Sequence, residues 1–283
     1  MNKWLFILIT LTAGFCACSK DDSRQEDYAP VRKISIEVIE NPMAMDGDRA
    51  TAATRGSVIT TSTLTAFSMN YGEDVFSISK NGDTWTPNPV NWPDVDNDTP
   101  ITFRAYNGGT YIYSGDYVSF TVEESASSQK DLLVATNTVS YSASKGKVSL
   151  EFDHACAAVD FQLKITNTLK NNLGSNLTIN SVVLENVKNT GKYYYSTGWD
   201  DVSGEVSYTL TDGSFSLGTD LQSLYCGTLF MIPQTLGEDA GLRIQYTVGG
   251  NLKETFIFMS GRTWEAGNQY TENIKLGTGQ ISL

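Results

Sequence analysis

His154 is the single histidine of the chain and stands in Phe152-Asp153-His154-Ala155-Cys156, two residues from one of four cysteines. Nucleophilic catalysis needs a nucleophile beside a base, and a zinc site needs several nitrogen or sulfur ligands. One histidine rules out every multi-histidine metal site. No nucleophile elbow, phosphate loop or dinucleotide fingerprint accompanies it. His154 therefore reads as a hydrogen-bonded structural group at a strand corner. Asp94, Asp96 and Asp98 alternate in a way that offers oxygens to calcium. The glycine and distal glutamate of an EF-hand loop are missing, so a solvated acidic loop is expected. Cys156 and Cys226 sit in apolar strands and read as buried thiols. A bridge between them stays open, since it needs Cα atoms about 4.4–6.8 Å apart. No metal and no cofactor is expected.

The charge balance points the same way. The chain carries 20 basic and 32 acidic residues, a net charge of -12. Nucleic acid is a poor partner for it, because phosphate binding rests on Lys and Arg. Two of the acidic residues could face each other as glycosidase carboxylates, but nothing in the sequence selects a pair. Tyr193-Tyr194-Tyr195 followed by Trp199 is the best candidate sugar-stacking cluster. Consecutive tyrosines on a strand cannot all face one core; strand packing is the simpler account.

The elements that would position these residues have period two. Ile34, Ile36 and Val38 alternate with Ser35 and Glu37; Ile101, Phe103 and Ala105 alternate with Thr102 and Arg104. Such alternation marks half-buried strands. Lys80-Asn81-Gly82-Asp83, Asn107-Gly108-Gly109 and Gly249-Gly250-Asn251 read as turns, the last inside a hairpin. No stretch of ten residues has a helical period. The chain is expected to be all-β, with two sandwiches. Val148, Leu150 and Phe152 have one parity, whereas Val159, Phe161, Leu163 and Ile165 have the other. A strand changes parity only at a bulge or corner, so 153–158 must hold one. The seam is expected at 140–147, giving sandwiches over 33–146 and 147–283. Residues 41–54 are small, polar and aperiodic, and read as a protease-accessible loop.

The start of the chain is of another kind. Asn2 and Lys3 precede an apolar run, Trp4 to Phe15, that falls short of the roughly 20 residues of a membrane-spanning helix. It reads as a secretory signal, residues 1–17. Ala17-Cys18 resembles the lipobox of bacterial lipoproteins, and Ser19-Lys20-Asp21-Asp22 resembles the acidic signal that sends some of them to the outer face of the outer membrane. Cys18 would carry the lipid, and 18–32 would form a tether. Several acyl chains hold a protein to a membrane far better than one.

The ordered patterns resemble the fimbrillin-like proteins, the subunits of type V pili. The resemblance rests on Leu64 to Met69, on Ile101 to Tyr106, and on Asp131-Leu132-Leu133-Val134-Ala135. Phe152-Asp153-His154-Ala155, Ile232-Pro233-Gln234, and Trp264, Gly267 and Tyr270 complete it. Cys156 departs from the family's aliphatic residue after His-Ala. The resemblance implies two tandem transthyretin-like β-sandwiches and a role in fimbriae or adhesion. In polymerising members an arginine-specific maturation protease removes the first strand, and the groove accepts a strand from another subunit. Ile34, Ile36 and Val38 would be the displaced face here, with Arg55 the first candidate cleavage site and Arg49 the second.

The leading expectation is thus a non-enzymatic, lipid-anchored fimbrial subunit or adhesin of the outer membrane. Its partners would be other pilus subunits, the maturation protease and a host or bacterial surface receptor. The alternative is a glycan-binding surface lipoprotein of a nutrient-uptake system; a glycosidase comes third.

Overall fold

The computed structural model describes residues 32–45, 64–93, 98–224 and 228–282. The signal segment, Cys18, Arg49, Arg55, Asp94, Asp96 and Cys226 lie outside the described residues. Strands run in the order β1 (Ser35–Glu40), β2 (Ala44–Met45), β3 (Ala66–Tyr71), β4 (Asp74–Asn81), β5 (Thr84–Asn88), β6 (Ile101–Asn107), β7 (Thr110–Ile112), β8 (Tyr117–Thr121), β9 (Leu133–Val139) and β10 (Lys147–His154). They continue with β11 (Ala157–Ile165), β12 (Leu177–Val187), β13 (Thr190–Tyr194), β14 (Gly198–Ser203), β15 (Val206–Thr211), β16 (Phe215–Leu217), β17 (Gln222–Ser223) and β18 (Leu229–Met231). β19 (Gln234–Thr235), β20 (Gly241–Val248), β21 (Asn251–Phe258), β22 (Thr263–Trp264) and β23 (Asn268–Leu276) complete the chain.

The protein is all-β. Hydrogen bonds close seven strands into a barrel in the order β1-β10-β9-β6-β3-β4-β5. Its interior holds Phe67, Met69, Phe76, Phe103 and Trp92, with Val148, Leu150 and Phe152 from β10. Aromatic edges meet there: Phe67 and Phe152 at 4.9 Å, Trp92 and Phe103 at 5.4 Å. A second core lies between two sheets, β17-β11-β23-β2 and β15-β12-β20-β21. The alternating residues Val159, Phe161 and Leu163 face Val182, Leu184, Leu242 and Ile244 across it. A further sheet, β14-β13-β8-β7, sends Val118 and Phe120 into this second core.

The parity change in the sequence is a corner at Ala155-Cys156. Before it, β10 faces the first core; after it, β11 faces the second. β10, expected to open the second sandwich, therefore contributes its apolar face to the barrel. The hairpin β20–β21 turns on Gly249 and Gly250, with φ of 56° and 83°; both positions of such a turn need positive φ. Two short helices escaped the period argument: α1 (Tyr141–Ser144) and α2 (Asn167–Leu173). Thr166 caps α2 by accepting from the Leu169 amide at 3.2 Å, and Gly174 ends it at φ 67°. A cap and a glycine eight residues apart were the readable signal.

Candidate functional site

β1 lies in the barrel wall between two unequal neighbours. It runs parallel to β10 in unbroken register, from Ser35 opposite Lys147 to Glu40 opposite Phe152. Against β5 it has only the pair Ile36–Trp85. The approach is pinned by Ile34 N donating to Val90 O at 2.9 Å and Trp92 N donating to Arg32 O at 2.7 Å. Ile34 is buried, Ile36 and Val38 are half-buried on the same core, and Ile39 faces out with 44% of its surface exposed. Fully burying a side chain of this size is worth about 1.5–3 kcal/mol, and the two half-buried ones contribute less. Beneath them Val148, Leu150 and Phe152 have no exposure at all. An empty β1 position would uncover this apolar floor and the backbone edge of β10.

Two details fix the register. Gly146 (φ +85°) lies so close to the incoming strand that a β-carbon there would sit 2.2 Å from the Lys33 carbonyl oxygen. Its own carbonyl accepts from Ser35 N at 2.9 Å. Glu37 receives Ser149 Oγ at 2.5 Å and Lys147 Nζ at 2.9 Å. The Ser149 hydrogen bond, then Lys147, hold the Glu37 carboxyl below its ordinary value.

The segment then leaves the barrel. Asn41 N donates to Phe152 O at 2.9 Å, and Asn41 Nδ2 to Asp153 Oδ1 at 2.8 Å. Met43 is buried, and Ala44 N donates to Gly267 O at 2.7 Å, where β2 pairs in parallel with the start of β23. Residues 32–45 therefore bind both the barrel and the β23 edge of a sheet that covers the second core.

The corner between β10 and β11 carries the one histidine. His154 Nδ1 hydrogen-bonds Asp131 Oδ2, and both side chains are buried. Asp131 Oδ1 accepts from the Cys156 amide at 3.2 Å. Burial raises the Asp131 carboxyl, against the pull of His154 and Cys156. Trp199 Nε1 donates to Ala155 O at 2.5 Å, and Gly267 N to Cys156 O at 3.0 Å. His154 Nε2 is sealed from solvent, and the hydrogen bond from Nδ1 to Asp131 helps to hold the corner. Cys156 is a buried free thiol whose pKa burial pushes well up; thiolate chemistry is suppressed there. Sequence reasoning missed Asp131 as the partner. Its readable signal was an acid directly before the apolar run Leu132 to Ala135.

The other singled-out residues that lie among the described ones make structural contacts. Asp98 accepts from the Ser142 amide at 2.9 Å and from its hydroxyl, and so holds the start of α1. Tyr193 and Tyr195 pack on the second core with Trp199, while Tyr194 tilts onto Tyr117 at 5.2 Å. The tyrosines thus form no flat exposed platform. Trp264 is buried with Nε1 donating to Glu272 at 3.2 Å, and the Tyr270 hydroxyl accepts from Glu265 N at 2.9 Å.

The comparisons with known proteins match this architecture. A fimbrillin-like family model covers residues 45–283. The chain belongs to the fimbrillin-like family. β1 precedes the matched span. This fimbrillin-like chain is similar in fold to a fimbrial protein from Bacteroides vulgatus ATCC 8482, with a TM-score of 0.53 at 16% identity over 87% of this chain and 95% of that one. A candidate cell adhesion protein from Parabacteroides distasonis ATCC 8503 gives 0.54 at 9% identity, over 87% and 88% of the two chains. At such identities the likeness concerns the fold. No curated protein matches the fimbrillin-like chain in sequence.

Proposed function

We propose that this protein is a fimbrial subunit or adhesin of the cell surface that assembles by accepting a β-strand. Its own first strand holds the accepting groove until it is removed. Membership of the fimbrillin-like family supports the coarser reading. The observation that carries the finer one is the asymmetry of β1, which has six register positions against β10 and one against β5. A strand bound mainly along one edge, with a half-buried apolar face, can be replaced by another that offers the same backbone and side-chain pattern. Cleavage after Arg55, or after Arg49, would separate β1 and β2 from the rest of the chain. The opposite end of the protein favours receiving over giving. β23 is packed in its sheet, and the segment after it is docked, with Ile281 buried and Ser282 N donating to the Tyr246 hydroxyl at 3.0 Å.

Lipidation at Cys18, export through residues 1–17 and display on the outer membrane complete the reading, and no catalytic step is part of it. Its partners are other pilus subunits, a maturation protease and a surface receptor. Mass spectrometry of surface-shed protein tests it. An N-terminus at Gly56, lost in Arg55→Ala together with fimbriae, is the expected result. Normal fimbriae in Arg55→Ala with an acylated Cys18 terminus would overturn cleavage-dependent assembly.

A further inference from the structure

A cleft of about 600 Å³ opens on the outside of the barrel, between the β3–β4 turn, β6 and the short helical turn after β7. That volume lies within the range of small-ligand sites, about 300–1,000 Å³. Its floor is a rigid polar group. The Arg104 guanidinium grips Asp116 in a fork, Nε to Oδ1 and Nη2 to Oδ2, both at 2.9 Å. Arg104 Nη1 also donates to Thr136 Oγ1 at 2.9 Å, and the Tyr111 hydroxyl donates to Asp116 Oδ1 at 2.8 Å. The ring of Tyr195 lies under the guanidinium, 5.2 Å from centroid to Cζ. A guanidinium has five N–H donors, and these contacts engage three of them. Two donors and the outer lone pairs of Asp116 remain for a guest. Asp116 keeps 46% of its side chain exposed, so the group is held still without being sealed.

Above this floor stands an aromatic wall. Tyr113 is 53% exposed, and its ring edge lies over Gly72, where a β-carbon would approach it to 3.9 Å. Glu73 and Asp74 line the same cleft from that turn, both exposed. The guest chemistry follows from this set. The guanidinium charge is already neutralised by Asp116, and two more carboxylates stand at the rim, so an anion is disfavoured. What the site offers is an exposed ring face, fixed planar donors and several carboxylate acceptors. A sugar ring presents the complement, an apolar C–H face and vicinal hydroxyls that both donate and accept.

We propose that this cleft binds a neutral saccharide, with Tyr113 stacking on one sugar ring while Arg104, Asp116 and the carboxylates of Glu73 and Asp74 hydrogen-bond its hydroxyls. The site is separate from the β1 groove and does not depend on strand exchange.

Calorimetric titration of the full chain with maltotriose, mannotriose and triacetylchitotriose tests the proposal, with sialyllactose and spermidine as charged probes. Saturable binding of at least one neutral trisaccharide is expected, weakened by about tenfold or more in Tyr113→Ala and lost in Asp116→Asn. Tyr113 holds no core, so its variant should melt with the parent and keep the test valid even if Asp116→Asn unfolds. Tyr194→Ala, outside the cleft, should bind as the parent does. The proposal falls if none of the three neutral sugars saturates, if Tyr113→Ala binds them unchanged, or if only spermidine or sialyllactose binds. Fimbrial assembly does not enter these readouts, so failure here leaves the strand-acceptor reading standing.

Discussion

β1 and β23 are both parallel strands, and each lies beside one of two consecutive strands, β10 and β11. Their packing differs. β23 runs in register with β11 over eight positions, with Tyr270, Glu272, Ile274 and Leu276 all buried. Glu272 is held by Arg262 and Trp264. Ile34, directly before β1, is buried, whereas β1 itself leaves Ile36, Val38 and Glu37 half-buried. The lesson is that pairing direction does not decide which strand can leave. The amount of apolar surface and the number of buried polar anchors do, because each must be undone before the backbone can exchange.

Matched truncations should expose that difference most strongly. Ile274→Ala in β23 is expected to cost about 2–5 kcal/mol, the range for a buried core isoleucine. Ile36→Ala in β1 should cost about 1 kcal/mol, since it starts half-buried. Urea unfolding of the two variants checks this, and equal losses would break the comparison.

Gly146→Ala is aimed at β1 alone. The added carbon would meet the Lys33 carbonyl, and the positive φ adds strain, so a loss of about 1–3 kcal/mol is expected. Hydrogen exchange should quicken at the amides of 34–40 while those of β23 stay protected. Uniform quickening would mean that β1 is not an independent unit.

The corner where β10 hands over to β11 supports both strands equally. Asp131→Asn should cost about 1–3 kcal/mol by weakening the buried partner of His154 and Cys156. His154→Gln should cost stability at most and leave assembly intact. Loss of assembly in a His154→Gln protein with an unchanged melting curve would assign that residue a role beyond the corner.

The smallest effect concerns pH. The folded-state pKa of Glu37 is lowered, so its contribution is present above the ordinary value of 4.5 and lost as pH falls through the lowered one. Acidification through that lowered value should therefore loosen β1. Exchange at 35–40 should rise on going from neutral pH to below 4.5, after correction for intrinsic rates. Glu37→Gln should flatten that rise.

Much of this was readable from local pattern. The alternation of Ile34, Ile36 and Val38, the Gly249-Gly250 hairpin and the parity break before Val159 each depend on residues a few places apart, where pleat and φ act directly. α1 and α2 were not readable by period, because four and seven residues are too few to show one. The corner was legible as a necessity, but Asp131 as its anchor was not. An acid and a histidine 23 residues apart carry no mark of contact. The tyrosine run was legible as strand packing, but its cover was not: β13 lies between β8 and β14, and Tyr193 and, just past β13, Tyr195 pack on the second core.

By itself, then, the sequence determined an all-β chain, its turns, the amphipathic face of its first strand and the place where the chain must bend. These are local consequences of side-chain alternation and backbone freedom. Only the tertiary structure decided that β1 lies beside β10, with Glu37 opposite Ser149 112 residues away. It also decided that β10 serves the first core rather than the second, and that Arg104, Asp116 and Tyr113 line one cleft with the β3–β4 turn. Parity tells a strand which face to bury. The neighbour it is buried against is selected by the closure of the whole sheet, which no local window contains.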